Sequence, residues 1–579
     1  MKFKFIALFL LLASFEAFGA TTYVDPSCPN NGDGTGQACA ATGGGAGAFN
    51  TWASQTVWTG NAKAYQKAGT TFTGACGFLV NASGADTNNR IEIGSYGGSD
   101  KAVMNCTSGS YIFGWTTRSY ITVSNMEFSN SSAHCLYFSG GTGNIVTDNV
   151  FRSCASYGIS LDGAGAAHQH DSLQISNNEF IYTGNSAILA DITTTNTATW
   201  TGLSIFTNTF RQGVVSSNSN PVVGIRQTTT PIQNTVRDVN IYNNTFEGVN
   251  YTDTTPTSVI WVGRSSLPTT PADQSLCAPD NKIIGIKIYN NIFKQVGGNP
   301  IYVNNVITNS SYPDALIYDN DMRDIRGNAG IIAFYSTGLK TYNNRIDNIK
   351  PLSSSLFIDG IGIDYDVCNV GGEISRNYIT RTLGDLSTTN SGQGIAIFGS
   401  NSVKIRSNVI TDSRIGIHLG NDILAAAGIA NDFEGNTIVR TATDCVQGDF
   451  TVEQVNNFRN NSLNYCGDYG FDLAGTGQQV LTSNGIFNTT SGAINSNNDD
   501  TTKVPSNPLF VDFTRTSSVG GFKLLPNSPL CRAGYPLGPI KDYWNRPIDI
   551  LDPSIGAMDC NAEYNLDIST TRTEILTRE

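Results

Sequence analysis

One short pattern constrains this chain more than any other feature. An alternation of apolar residues that ends in asparagine occurs twelve times between residues 123 and 463, as in Val239–Phe246 and Ile286–Phe293. The residue two places after the key position is always apolar. The residue three places before it is apolar in every copy except Thr341. The key positions are Met126, Asn149, Asn178, Asn208, Asn244, Asn291, Asn320, Asn344, Asn377, Asn408, Asn436 and Asn461.

This repeat predicts a solenoid of stacked β-strand coils. Alternation with period two places every second side chain on one face of a strand, whereas helical repeats would show a period of about 3.6 residues. Asparagine tolerates the left-handed backbone of a sharp turn, and its amide can bond the coils above and below. One coil cannot bury its own apolar face, so the coils must stack, with the asparagines forming an internal ladder. Twelve coils make a rod of about 55 Å.

A second strand precedes each asparagine element, as in Tyr157–Leu161, Gln393–Ile397 and Ile415–Leu419. Each coil is expected to contain a Gly-Ile-x-Leu strand, a short turn, the asparagine-ended strand, a brief third strand and a variable loop. Coil length varies from 23 to 47 residues, so the excess is expected in loops. The longest connections are Val214–Pro221, Val249–Thr257, Arg264–Asn281, Ile349–Phe357 and Thr380–Gly392.

Composition and charge agree with a folded chain of short strands and tight turns. The 579 residues include 60 Gly and only 14% charged residues, with enough aromatic and β-branched residues to exclude disorder. The formal net charge is −12 and the pI is near 4.9, which argues against nucleic acid as a partner, because binding phosphates needs a basic face.

The N-terminus predicts export. Lys2 and Lys4 precede the apolar run Phe5–Leu12, and small residues follow at Ala17–Gly19, so residues 1–20 are predicted to be a signal peptide. The run is too short to span a bilayer and no later segment is long enough, so no membrane insertion is expected. The mature protein is predicted to be secreted, either extracellular or periplasmic.

All twelve cysteines follow that segment, and an even number in an exported chain predicts disulfides. No C-x-x-C spacing favours a metal site. Cys277 and Cys368 each lie in a long connection. The others fall into local pairs: Cys28 with Cys39, Cys76 with Cys106, Cys135 with Cys154, Cys445 with Cys466, and Cys531 with Cys560.

The alternating Gly-Ile-x-Leu and Asn-Asn-x-Phe units, over about residues 90–475, resemble the right-handed parallel β-helix proteins of the pectate-lyase-like superfamily. The N-terminal segments Thr21–Pro26 and Ala48–Trp52 are similar to the cap of secreted bacterial members, and Asn507–Asp512 to their closing segment. The resemblance implies an all-β fold of about 12 or more coils with N- and C-terminal caps. It implies an N-terminal cap and first irregular coils at 21–120, the β-helix at 121–475, and a C-terminal capping segment and polar tail at 476–579.

In that superfamily the x residue of the Gly-Ile-x-Leu strand generally faces the substrate. Arg226, Trp261, Arg264 and Tyr302 come from three successive coils. Aromatic rings stack on sugars and Arg forks a carboxylate or sulfate, so these four are predicted to bind substrate; the alternative is ordinary surface aromatics under a loop. The x row is expected to be Tyr137, Ser160, Leu189, Arg226, Trp261, Tyr302, Ile332, Gly362, Ala396, His418, Gln447 and Asp472. The next outward row is expected to include Asp162, Asp191, Asn304, Phe334, Asp364, Phe398 and Asp449.

The segment Asp359–Asp366 is the densest acidic feature. Asp364 is expected to face outward and Asp366 to lie at the turn, where two carboxyls can share a proton and act as an acid–base pair. The same residues could hold Ca²⁺ or simply cap turns. His418, outward and two coils from Asp364, is a candidate base. A metal site at His168 and His170 is a weaker hypothesis.

The signatures of polygalacturonases and pectate lyases are absent, and the segment Tyr469–Asp472 shares only the start of the mannuronan C5-epimerase motif. The leading hypothesis is β-elimination of an acidic polysaccharide by a monomeric enzyme, with Arg226, Arg264 or calcium neutralising the uronate. His418, Tyr302 or a Lys would then remove the C5 proton. The alternatives are hydrolysis by Asp364 with Asp366 or Asp359, and a non-catalytic glycan-binding or surface protein.

Overall fold

Apolar side chains that alternate along short strands place the backbone in three long sheets, and every pairing between the strands is parallel. The chain is therefore a right-handed parallel β-helix, as predicted. The computed structural model describes residues 20–560, except 56–57, 163–168, 182, 193–198, 212–219, 228–234, 252–257, 265–282, 309, 352–358, 386–390, 421–429, 450–454, 474–478, 496–498, 513–518 and 539.

Sheet 1 holds the Gly-Ile-x-Leu strands, and each coil passes from sheet 1 to sheet 2 and then to sheet 3. The 15 strands of sheet 1 are Phe78–Leu79, Tyr111–Thr116, His134–Ser139, Tyr157–Asp162, Ser186–Ile192, Val223–Gln227, Ile260–Arg264, Ile301–Asn304, Ala329–Phe334, Ile361–Tyr365, Gln393–Phe398, Ile415–Gly420, Val446–Asp449, Tyr469–Asp472 and Gly492–Asn495.

Sheet 2 holds the strands that lead into the ladder asparagines. Its 19 strands are Thr21–Val24, Lys63–Lys67, Ile91–Tyr96, Ile121–Ser124, Gly141–Thr142, Ile145–Thr147, His170–Asp171, Gln174–Ser176, Thr199–Phe206, Thr235–Tyr242, Ile283–Tyr289, Val306–Ile307, Leu316–Tyr318, Lys340–Tyr342, Glu373–Ser375, Lys404–Arg406, Asp432–Glu434, Asn457–Arg459 and Val480–Thr482.

Sheet 3 follows the asparagines. Its 15 strands are Thr71–Ala75, Ala102–Ser108, Met126–Ser129, Val150–Arg152, Glu179–Ile181, Thr209–Arg211, Thr245–Glu247, Ile292–Lys294, Asp321–Arg326, Arg345–Lys350, Tyr378–Thr382, Val409–Thr411, Thr437–Thr441, Ser462–Cys466 and Gly485–Phe487. The described helices are two 3₁₀ turns, Trp52–Ser54 and Val519–Phe522. None of the described helices has the length and hydropathy of a membrane span.

The predicted asparagine ladder is confirmed. Asn291 donates from its backbone N and from Nδ2 to Oδ1 of Asn320, both at 3.0 Å, and Nδ2 also donates to the carbonyl of Ile241. The ladder runs one step further than expected, to Asn484. It ends on the Asp500 carboxylate, which accepts from Nδ2 of Asn484 at 3.0 Å and from its backbone N at 2.9 Å. The ladder therefore satisfies buried backbone donors along the whole stack.

The ladder asparagine had been predicted to adopt the left-handed conformation of the turn, and this prediction is wrong. That conformation belongs to the residue before it, for example Asn290 (φ 54°), Asn343 (φ 56°) and Arg376 (φ 54°). The two neighbouring residues have different roles. The first turns the chain through its left-handed backbone, and the second points its amide into the core.

Beside the ladder, a column of phenylalanines fills the interior. Neighbouring rings are stacked or tilted with centroids 4.5–5.4 Å apart, and every ring is fully buried. The column is Phe128, Phe151, Phe180, Phe210, Phe246 and Phe293. These are the apolar positions two residues after the key position of the repeat, so the sequence pattern and the core are the same feature.

The predicted position of the loops within a coil is wrong for several coils. Long connections separate sheet 1 from sheet 2 as well as sheet 3 from sheet 1: the strand Ile260–Arg264 of sheet 1 is followed by Ile283–Tyr289 of sheet 2. Both ends of the sheet 1 strands are therefore flanked by variable segments. Most residues of the five predicted long connections lie outside the described part of the chain.

The five local cysteine pairs are confirmed as disulfides. Cys368 is also disulfide-bonded, whereas Cys277, like the predicted signal peptide up to residue 19 and the polar tail after Cys560, lies outside the described residues. Strands of all three sheets occur before residue 121, and strands of the stack continue after residue 475. The predicted domain boundaries stay predictions.

The C-terminal segment does more than close the end of the stack. Leu530, Ile555 and Met558 pack with Val409 and Val439 on the outer face of sheet 3. The backbone N of Ala557 donates to Oγ1 of Thr437 at 2.8 Å, and that of Tyr535 donates to Oδ1 of Asn460 at 2.6 Å. The segment thus braces the side of the last coils.

Candidate active site on sheet 1

Strand pairing in sheet 1 decides which outward residues are neighbours. Asp364 lies between Ile332 of the preceding strand and Ala396 of the next strand, and Ala396 pairs in turn with His418. Asp364 and His418 are therefore two strands apart, about 10 Å along the rod, as predicted.

The predicted outward row is wrong at two positions. Gly224 and Asp364 occupy the positions that had been given to Arg226 and Gly362. Gly362 lies in a glycine column where sheet 1 approaches sheet 3, and a Cβ there would be 2.6 Å from Cγ2 of Ile379. The segment reads Gly-Ile-Gly-Ile-Asp, so two frames fit the sequence pattern; the close approach selects one of them.

Asp364 points outward from the coil, as expected, but its side chain is buried, with 3% of the residue exposed. Among the residues that the structure describes, none forms a hydrogen bond with Oδ1. Burial, and then the charges of Asp366 and Asp359, raise the pKa of the Asp364 carboxyl well above its usual range. Its setting is an apolar group on the outer face of sheet 1, formed by Ala329, Ile332, Ile361 and Ala396 with Tyr302, Phe334 and Phe398.

Asp366 and Asp359 complete the acidic group. Asp366 is partly exposed, its backbone N donates to the carbonyl of Ala333 at 3.0 Å, and its Oδ1 accepts from the backbone N of Val367 at 2.8 Å. Asp366 lies one residue beyond the end of the strand Ile361–Tyr365. It occupies the position in the second outward row of sheet 1 that had been predicted for Asp364. Asp359 is half-buried, and burial raises its pKa although a hydrogen bond from Asn328 opposes the shift.

This arrangement places a buried carboxyl with a raised pKa beside a partly exposed carboxyl on one face of the strand. Environments that push two carboxyl pKa values apart are the usual basis of an acid–base pair, because one group can donate a proton while the other accepts one or attacks.

His418 lies in the outward row, as predicted, and it is also buried, with 2% of the residue exposed. Its Nδ1 is 3.3 Å from Nε2 of Gln393, and the ring of Phe398 packs against it edge to face with centroids 5.2 Å apart. The imidazole is therefore held in one orientation. Its role as a base stays a prediction.

Arg226 does not lie open to a substrate. Its Nε and Nη2 donate to the two carboxylate oxygens of Asp191, both at 2.9 Å, and Nη1 donates to Oδ1 of Asn220 at 2.8 Å. Arg226 is only 8% exposed, and these hydrogen bonds already use the guanidinium donors that a sugar carboxylate would need.

The other three predicted binding residues do lie together. The rings of Trp261 and Tyr302 are 4.8 Å apart, and Phe334 continues the run at 5.6 Å. Asn304 holds Arg264 in place, since its Oδ1 accepts from the backbone N of Arg264 and its Nδ2 donates to the Arg264 carbonyl. Trp261, Tyr302 and Phe334 are partly exposed. Phe334 lies on the strand that pairs with Ile361–Tyr365, so the run ends beside the acidic group.

The acidic group on sheet 1 also bears on the predicted calcium site. Calcium needs several oxygens converging on one point. Among the described residues, the group of potential ligands within 4.8 Å of one another is Asp25, Cys28 and Cys39, and its cysteines are joined in a disulfide. Calcium at Asp364 and Asp366 stays a prediction. His168 lies outside the described residues, and Nε2 of His170 accepts from the backbone N of Gly140 at 2.9 Å.

Sequence reasoning missed the residues that hold this strand. Tyr365, between the two acids, points into the core, where its hydroxyl is 3.0 Å from Oγ1 of Thr341 and donates to the carbonyl of Leu339 at 3.2 Å. The signal was present: Thr341 is the one polar residue at an apolar position of the repeat. A buried hydroxyl needs a partner, and Tyr365 supplies it.

Solved structures similar to this chain include pectate lyase Pel9A (13% identity, 93% of this chain and 96% of that chain, TM-score 0.24) and XylC in complex with xylose (10%, 93% and 98%, TM-score 0.35). A lacto-N-biosidase of family GH136 from Eubacterium ramulus is also similar (12%, 82% and 67%, TM-score 0.33). No protein-family model and no characterised protein matches the sequence. At these identities and TM-scores, the similarities do not bear on activity.

Proposed function

We propose that this chain is a secreted carbohydrate-active enzyme that hydrolyses a glycosidic bond with Asp364 and Asp366. The observation that carries the proposal is the buried carboxyl of Asp364, which makes no ion pair with any described residue and lies on the same strand face as the partly exposed Asp366. Secretion is supported by the five disulfides, which persist in oxidising compartments.

In this proposal Asp364 is the general acid. Its proton passes to the glycosidic oxygen as the bond to the anomeric carbon breaks, and Asp366 acts on the opposite side, either as nucleophile or as base toward water. The aromatic run Trp261, Tyr302 and Phe334 would stack on the sugars and bring the bond to the acids. Arg226 has no part in this reaction, because Asp191 holds it.

A second candidate is β-elimination of a uronate-containing polysaccharide, which was the leading hypothesis from sequence. The observation in its favour is Arg264, whose partly exposed side chain starts next to Trp261 and Tyr302 and could neutralise a uronate carboxylate. His418 would then have to remove the C5 proton, although it is buried against Phe398.

One assay separates these candidates. The purified protein is incubated with a panel of acidic and neutral polysaccharides, and new reducing ends and the absorbance of unsaturated uronate products are followed together. Hydrolysis predicts reducing ends alone, whereas elimination gives both signals. Neither signal on any member of the panel would contradict both enzymatic proposals and favour a non-catalytic glycan-binding protein.

The residue assignment is tested on the substrate that the panel identifies. Asp364→Asn and Asp366→Asn are each expected to lower kcat by about 10²–10⁴-fold, the usual contribution of a general acid or base. Asp162→Asn is the matched control, since Asp162 lies in the outward row of sheet 1 and accepts from the Tyr137 hydroxyl at 2.8 Å, several coils away. Full activity in Asp364→Asn would remove it from the site.

A further inference from the structure

A second feature lies on the outer face of sheet 2, away from the acids. Two adjoining cavities of about 430 and 210 Å³ open there, and Glu373 lines both. Five cationic side chains line the two cavities: Lys340, Arg376, Lys404, Arg406 and Lys541. These five residues around Glu373 are called the basic groove below.

The basic groove is unusual because the chain as a whole carries a net charge of −12. Among the described residues, Lys340, Lys404 and Lys541 make no ion pair, and all three are exposed. Arg406 pairs with Glu434 at 2.8 Å, so its charge is largely offset. Arg376 donates from Nε to Oδ1 of Asn343 at 3.1 Å. Glu373 is therefore surrounded by three exposed lysines that make no ion pair within the described part of the chain.

The backbone register gives the basic groove a direction. Lys340 pairs with Glu373 and Glu373 pairs with Lys404 in adjacent strands, so the two lysines lie about 10 Å apart along the rod. Lys541 comes from the C-terminal segment, and its backbone carbonyl accepts a hydrogen bond from Oγ of Ser407 at 2.8 Å. The charges follow the axis of the solenoid, which suits an extended polyanion better than one small anion.

A row of tyrosines leads into the basic groove along the same face. Tyr289, Tyr318 and Tyr342 stack face to face with centroids 4.8 and 5.0 Å apart, and the guanidinium of Arg376 lies 5.3 Å above the last ring. Stacked rings present their edges and hydroxyls rather than their faces. A tyrosine hydroxyl carries its proton at neutral pH and can therefore donate to sugar oxygens.

We propose that the basic groove binds a strand of anionic polysaccharide, at a site separate from the acids on sheet 1. Lysines and Arg376 would meet carboxylate or sulfate groups, and the tyrosine edges would bond the hydroxyls of neighbouring sugars. Both sites lie on the same coils, because Lys340 and Glu373 follow Ala329–Phe334 and Ile361–Tyr365 along the chain. The basic groove would therefore hold polymer close to the acidic group.

The test measures binding in an Asp364→Asn background, so that cleavage does not interfere. Polygalacturonate supplies carboxylates, dextran sulfate supplies sulfates, and neutral dextran is the uncharged reference; affinity electrophoresis gives Kd for each. Lys340→Ala with Lys404→Ala is expected to weaken binding of at least one polyanion about tenfold and to make its salt dependence shallower, since fewer counterions are released. Lys350→Ala, an exposed lysine on sheet 3, is the matched control and is expected to change nothing.

The polyanion that responds identifies the ligand chemistry: carboxylate for polygalacturonate and sulfate for dextran sulfate. The proposal is overturned if the double variant binds like its parent, if Lys350→Ala weakens binding equally, or if the parent binds neither polyanion. Tighter binding of double-stranded DNA than of either polysaccharide also overturns it. Because the readout is binding by an inactive variant, its result is independent of whether the acids on sheet 1 hydrolyse sugar.

Discussion

A carboxyl group in an apolar setting can pair with a cation or keep a proton. Sheet 1 shows both solutions. Asp191 pairs with Arg226 through two hydrogen bonds, and that arginine is consequently closed to a sugar. For Asp364, burial and then the charges of Asp366 and Asp359 raise the pKa of the carboxyl, and this direction is what makes it a candidate acid.

The raised pKa of Asp364 has a consequence for stability. A carboxyl whose pKa is higher in the folded than in the unfolded chain stabilises the fold below about pH 4, and this contribution is lost as the pH rises toward the folded-state value. Asp364→Asn is neutral at every pH. The variant is therefore expected to match the wild type in acid and to exceed its free energy of unfolding in mildly alkaline buffer, as measured by denaturant titration. A constant difference across the pH range would contradict the prediction.

Asp444 gives a second test with a defined window. Burial raises its pKa to about 6, with the charges of Asp472 and Asp468 adding to the shift, while the backbone N of Tyr469 donates to its Oδ1 at 2.9 Å. Its stabilising effect is full below about pH 4 and is lost through about pH 6. Asp444→Asn keeps the acceptor oxygen, so its Tm is expected to fall less than that of the wild type between these values. Asp100→Asn, on an exposed turn, should track the wild type.

At the scale of single strands, the segment Ile361–Tyr365 is fixed from its inner side. The hydroxyls of Tyr365 and Thr341 are 3.0 Å apart in the core, and removing one leaves the other without that partner. A double-mutant cycle with Tyr365→Phe and Thr341→Val is expected to give a coupling of about 1 kcal/mol in the free energy of unfolding. Additive effects of the two substitutions would show that the contact does not hold the strand.

The asparagine ladder predicts a larger effect. In Asn291→Ala, the backbone N and Nδ2 of Asn244 lose the oxygen that accepts from both, at 3.1 and 3.0 Å, although Nδ2 still donates to the carbonyl of Ile205. The expected loss is about 3 kcal/mol of the free energy of unfolding, because the buried backbone donor is left unpaired. Asn240→Ala, whose amide is half-buried on the outer face of sheet 2 and bonds only Asp238, is the control and should cost well under half as much.

The sequence predicts the strands of each coil better than it predicts which side chains of different coils lie next to each other. The ladder and the phenylalanine column follow from spacing within one coil, which is local information. The outward row of sheet 1 requires the register between coils, and Gly-Ile-Gly-Ile-Asp fits two frames. Only the clash of a Cβ at Gly362 with Ile379 decides between them. The pairing of Arg226 with Asp191 and the burial of Asp364 and His418 depend on that register too, so spacing alone could not reveal them.

For the molecule as a whole, the end of the stack matters because each coil is stabilised mainly by its neighbours. Asp500 closes the ladder by accepting twice from Asn484, and the C-terminal segment braces sheet 3. Asp500→Ala is expected to increase hydrogen exchange in the last coils, around Val480–Thr482 and Gly485–Phe487, while the coils near Asn291 stay protected. Uniform loss of protection along the rod would mean that the solenoid unfolds as a single unit.

The proton on Asp364 is the point on which the proposed chemistry depends. Infrared difference spectroscopy of the wild type against Asp364→Asn reports it directly, without a substrate. The account predicts the carbonyl stretching band of a protonated carboxylic acid at neutral pH, absent from Asp364→Asn and retained in Asp162→Asn. A wild-type spectrum at neutral pH that shows Asp364 as a carboxylate would contradict the account.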